Sequence, residues 1–152
     1  MQITIYISKI YDEIRRKTQR DVATIESVEA RYLIEAGTEK NDEIYADIIL
    51  ANDSLKGILQ TFLIDCLVEQ CDDMQQIPDA YVYELDLSPR RAVGKAQQLT
   101  DVMHDYLVHS TLMRFYDAVN GTELKAKHED AANAASIQLV KLLYTKARPQ
   151  LV

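Results

Sequence analysis

NDEIYADIILANDSLKGILQTFLIDCLVEQCDD, residues 41–73, decides how the chain is read. Ile44, Ile48, Ala51, Leu55, Ile58, Leu59, Phe62 and Cys66 recur at the three- and four-residue spacing of one helix face. Asn41 or Asp42 can start that helix, and the spacing predicts one long helix over 41–73. Ile49, Ile64, Leu67 and Val68 lie off the stripe. A helix apolar on two sides is either central in a bundle or part of an oligomer interface.

Working outward, each flank contributes a strand signal. On the N-terminal side, Ile3, Ile5 and Ile7 alternate with Thr4 and Tyr6, the period-two pattern of a strand with one apolar face. Ser8 then stands as the cap of a helix carrying Ile10, Tyr11 and Ile14, whose end collects Arg15, Arg16, Lys17 and Arg20. A break near residues 18–23 leads to a second short helix over about 21–36, ended by Gly37. On the C-terminal side, QIPDAYVYELDL (76–87) places Tyr81, Tyr83, Leu85 and Leu87 on one strand face and Val82, Glu84 and Asp86 on the other.

Ser88 as cap and Pro89 at the first helical position begin a helix to about Asn120. Its inward ridge is Ala92, Ala96, Leu99, Met103, Tyr106, Leu107, Ser110 and Met113. Gly121 ends it, and Thr122 caps a last helix with Leu124, Ala131, Ala135, Leu139 and Leu142 inward. The expected fold is mainly α: an antiparallel helical bundle in one domain, residues 1–152, with a two-stranded β ribbon of about 2–7 and 81–87. Four Gly and three Pro leave little material for long loops or a strand-rich fold.

Charge is unevenly distributed. Residues 1–34 carry six Lys or Arg against five Asp or Glu, whereas 35–86 carry two against thirteen and 87–152 nine against six. The acidic middle repels phosphate backbones, which argues against nucleic-acid binding, and it suits a basic partner. Cys66 and Cys71, five apart on a helix, point to different faces and are expected as reduced thiols. No signal-peptide pattern is visible, and ILQTFLIDCLV (58–68) is too short and carries Asp65, so no membrane span is expected. The cytoplasm of the producing cell, or a particle assembled there, is the expected location.

Residue chemistry points away from catalysis. His-Glu-x-x-His, Gly-x-Ser-x-Gly, Cys-x-x-Cys and a phosphate-binding glycine loop are all missing. Asp101, Asp105 and His109 form an i, i+4, i+8 row, with His104 nearby, and such a row can bind a divalent metal. It lies opposite the apolar ridge, however, and His128 sits beside Glu129 on another helix. The row therefore reads as an exposed polar face, and neither a metal nor a cofactor is expected. Arg90 and Arg91 open a helix, where cations oppose the dipole; contact with an acidic surface would compensate.

A lone two-stranded ribbon is marginal in water and has open edges that recruit strands. The expected interaction residues are therefore Ile3, Ile5, Tyr6 and Ile7 on one strand, Tyr81, Tyr83, Glu84 and Asp86 on the other, with Arg90 and Arg91 beside them. ITIYISKIYDEI (3–14) resembles the start of small helical proteins encoded among the structural genes of tailed phages and prophages. The resemblance implies a ring-forming virion adaptor of head–tail connector, neck or tail-completion type, stacked between portal and tail. The leading expectation is a non-enzymatic structural adaptor that binds copies of itself or other structural proteins. An acidic regulatory module that masks a basic partner is the alternative, and an enzyme or metal protein using the Asp101/His109 row is the third.

Overall fold

The alternation at the N-terminus and at 80–85 produces two strands that pair, as their shared apolar faces require. In a computed structural model, residues 1–23, 41–69, 78–92 and 94–146 are described. Strand β1 (Gln2–Tyr6) runs directly into α1 (Ile7–Val22). Helix α2 (Asn41–Leu59) precedes β2 (Leu63–Glu69) and β3 (Ala80–Leu85). A four-residue helix α3 (Pro89–Ala92), then α4 (Ala96–Ala118) and α5 (Thr122–Tyr144), complete the order. The protein is mainly α with a small antiparallel sheet.

The sheet has three strands rather than two, in the order β1-β3-β2. β1 pairs antiparallel with β3 as the alternation requires, Ile3 opposite Tyr83 and Ile5 opposite Tyr81. β2 pairs on the other side of β3, with Cys66 opposite Tyr83, Leu67 opposite Val82 and an irregularity between Leu63 and Asp65. This corrects the single helix expected over 41–73, which stops at Leu59. The Phe62 amide donates to Leu59 O at 2.8 Å, turning the chain, and the Asp86 amide donates to Phe62 O at 2.7 Å. The residues that fitted no helical stripe after Leu59 obey a two-residue period instead. Strand geometry turns Leu63 and Cys66 toward the core and satisfies β3's second edge, which a continued helix would leave unpaired.

Ile3 and Ile5 on β1, and Tyr81, Tyr83 and Leu85 on β3, bury the sheet's inner face on the helices. Ile10 and Ile14 of α1, Ile44, Ile48, Leu55 and Leu59 of α2, and Leu139 and Leu143 of α5 close the same core. Helix α4 is its axis, packing on α1, α2, α5 and β1. Val102, Val108, Leu112, Phe115 and Tyr116 are therefore buried along with the expected Leu99, Met103, Tyr106, Leu107 and Ser110. Ala96, expected inward, is exposed at the first turn. One buried polar pair links sheet and helix, the Tyr83 hydroxyl donating to Asn52 Oδ1.

Several helix ends differ from expectation. α1 starts at Ile7 with Tyr6 in the cap position and no side-chain cap bond, so Ser8 lies inside the first turn. α1 also runs unbroken through Thr18 to Val22; the helix expected over 21–36 otherwise lies outside the described residues. Gly94, with φ 68°, separates α3 from α4, dividing what reads as one helix over 89–120. α4 ends on Asn120 in the left-handed region (φ 59°), and the Gly121 amide closes onto Tyr116 O at 2.8 Å. Thr122 is then the first residue of α5, with Gly121 before it.

Candidate protein-interaction surface

Strand pairing buries most of the residues expected to touch a partner. Ile3, Ile5, Ile7, Tyr81 and Tyr83 are all core residues, and burial pushes the Tyr81 and Tyr83 hydroxyl pKa values up. Tyr6 remains about half exposed (48%) with the Lys9 ammonium 5.5 Å above its ring. Glu84, Asp86 and Arg90 are exposed. Arg91 does something else: its guanidinium stacks on Phe62 (5.4 Å) and Tyr144 (5.8 Å), and those two rings meet edge to face at 5.0 Å. A cation at the start of α3 is thus held by aromatic faces of the α2–β2 turn and the end of α5.

The large apolar side chains left in solvent fall elsewhere. Ile64, Leu67 and Val68 on β2 are 60%, 54% and 50% exposed, on a strand paired along one edge only among the described residues. Ile49 and Leu50 of α2 and Ile137, Val140 and Tyr144 of α5 are also exposed. Ile137, Val140 and Tyr144 recur at i, i+3 and i+7, one outer stripe of α5. Phe62 joins the two regions, standing one residue before β2 and against Tyr144. Sequence reasoning placed Ile49, Ile64, Leu67 and Val68 off the helical stripe; that signal was sound, although three of the four belong to a strand.

A groove of about 600 Å³ runs along β1 between α1 and the first turns of α4, with Thr4, Tyr6, Lys9, Arg16, Thr100 and His104 among its walls. His104 Nε2 is buried there without a hydrogen-bond partner, while Nδ1 lies 3.8 Å from Asp105. That contact, ahead of burial, draws the Asp105 carboxyl pKa down.

The polar cluster that matters to the interior was not legible as a motif. Asp21, near the end of α1, accepts from Tyr116 Oη (2.8 Å), His128 Nε2 (2.8 Å) and Lys127 Nζ (2.7 Å). His128 Nδ1 then faces His109 Nδ1 at 2.9 Å, and the His128 ring stacks on both His109 and Tyr116. Burial alone would raise the Asp21 pKa, but the bonds from His128, Lys127 and Tyr116 outweigh it and hold the carboxyl well below the usual range. His109 is pushed down to about 4 by burial, then by the neighbouring His128 and Lys17. Tyr116 is pushed up, by burial and by the Asp21 carboxylate.

The Asp101–Asp105–His109 row is accordingly divided. Asp101 and Asp105 face solvent as expected, whereas His109 turns half-buried against His128. Among the described residues no three His, Cys, Asp or Glu side chains converge as a metal site. Burial raises the Cys66 thiol pKa, and Cys71 lies outside the described residues. No described helix is long and apolar enough to cross a membrane. The chain matches no family model, no curated protein and no solved structure.

Proposed function

We propose that this protein is a non-enzymatic structural adaptor, acting through protein–protein contacts in the manner of a head–tail connector, neck or tail-completion component of a tailed phage or prophage. The observation that carries the reading is β2, an edge strand with Ile64, Leu67 and Val68 in solvent. An unpaired strand edge bearing apolar side chains is an aggregation hazard unless a partner covers it. The charged devices that usually guard an edge are sparse on it: Asp65 is the one charged side chain between Leu63 and Val68.

The polar groups of the interior support the same reading. The buried carboxylate of Asp21 is saturated by donors from its own chain, which suits a structural tie more than an acid–base site open to substrate. Light scattering after size exclusion, across a range of concentrations, tests the proposal together with copurification from cells expressing the neighbouring genes. A discrete oligomer or a defined complex is expected. A monomer at all concentrations that copurifies with nothing would overturn it. The acidic composition of 35–86 favours a second reading, a module that masks a basic protein; its mark would be a monomer that forms a salt-sensitive one-to-one complex.

A further inference from the structure

The sheet has two ends of opposite character. At one end is β2, following α2; residues 41–69 carry six acidic residues against Lys56 alone, and Asp53 and Asp65 are exposed. At the other end is β1, running into α1, where Lys9, Arg15, Arg16, Lys17 and Arg20 stand against Asp12 and Glu13 at the surface, Asp21 being buried. Each end strand pairs only with β3 among the described residues, so each offers an unpaired row of backbone groups. The groove of about 600 Å³ lies along the β1 end, and Lys9 and Arg16 are on its walls.

We infer that β2 of one copy docks along β1 of a second copy, in the groove between α1 and α4, so that the sheet continues from chain to chain. The inference rests on the adaptor reading and specifies its contact. Four properties select this occupant. Ile64 and Leu67 need cover, and the groove beside β1 supplies it. The acidic α2–β2 segment meets the more basic α1, whereas pairing β2 with its own copy would set two acidic segments together. His104 Nε2, buried without a partner, gains polar groups of the incoming chain to bond. β1 and β2 are both antiparallel to β3 and hence parallel to each other. A neighbour related by a modest rotation therefore presents its β2 parallel to β1, a regular ladder. Because the two docking surfaces differ, the contact is heterologous: it propagates and closes into a ring wherever the rotation allows.

The test uses two double variants of the full chain, each checked for folding by circular dichroism and thermal unfolding. Ile64→Lys/Leu67→Lys alters only the β2 side; Tyr6→Glu/Lys9→Glu alters only the β1 side. Sedimentation velocity is expected to show association in the wild type and at least about tenfold weaker association in each variant alone. Mixing the two variants one to one is expected to restore association, since lysines on β2 then meet glutamates in the groove. A β1-side variant that associates as well as wild type would show that β2 pairs with itself and would overturn the inference. So would a mixture that stays monomeric. Wild-type oligomers insensitive to both variants would overturn this docking while leaving the adaptor reading standing. A wild type that is monomeric throughout yet captures a different partner would do the same.

Discussion

The Asp21 cluster and the β2 edge solve opposite problems. Around Asp21 every polar demand is met inside one chain: a buried carboxylate takes hydrogen bonds from Tyr116, Lys127 and His128, and His128 in turn meets His109. On β2 the chain leaves its demands open, with backbone groups unpaired on one side and Ile64, Leu67 and Val68 in water. The first region binds the end of α1 to the α4–α5 hairpin and is expected to govern stability. The second contributes little to the fold beyond its pairing with β3 and is expected to govern assembly. The difference teaches that stability and interaction sit in separate places, so substitutions should separate them.

The largest effect should come from Asp21→Ala, which leaves three donors facing an empty site. Breaking a buried ion pair by removing one partner costs about 3–5 kcal/mol, to be read as a lower urea midpoint with an unchanged slope. A loss below about 1 kcal/mol would erase the contrast between the two regions.

Next comes Lys95→Met. The Lys95 ammonium donates to Leu142 O at 2.6 Å and to Thr145 O, closing the C-terminal end of α5. Losing those bonds should cost about 1–2 kcal/mol, and amide exchange should accelerate selectively in the last turn of α5.

A pH profile sharpens the picture further. His109 falls from an ordinary 6.5 to about 4 in the folded chain, so the unfolded chain binds this proton more readily. Its contribution is fully present above pH 6.5 and is lost as the pH falls from 6.5 toward 4. Asp21, held below its unfolded value, adds a loss confined to more acid conditions, below about pH 4. Urea unfolding at several pH values should therefore show wild-type stability declining between 6.5 and 4. His109→Asn, which keeps a polar group near the Nδ1 position, should flatten that decline. An equal slope in both proteins would remove His109 from the account.

The smallest effect on stability belongs to Leu67→Lys, within about 0.5 kcal/mol because the side chain is exposed. Its consequence is expected in association instead. A large loss of stability with no change in association would invert the comparison.

The elements visible from local pattern are those whose period holds over their whole length. Ile3–Ile5 and Tyr81–Tyr83–Leu85 alternate cleanly, so their pairing could be read across the intervening helix. The α4 ridge from Leu99 to Ser110 was equally plain. The passage from α2 to β2 was hidden, because Phe62 and Cys66 continue the α2 stripe by coincidence while the chain has already turned at Leu59. A short apolar run fits both periods, and only the vacant edge of β3 arbitrates between them. The Asp21 cluster was hidden for a different reason. Its members lie 95 and 107 residues apart in the cases of Tyr116 and His128, and no spacing rule joins them.

Sequence alone determined the helical character, the two alternating strands and the uneven charge, because each is a property of neighbouring residues. Tertiary structure decided which apolar residues stay in water. Ile49, Ile64, Leu67 and Val68 carry the same side chains as the core; what leaves them outside is that no described element covers them. It likewise decided that His128 serves a buried aspartate rather than a surface row. Burial and pairing are relations between distant segments, and they exist only once the segments have packed.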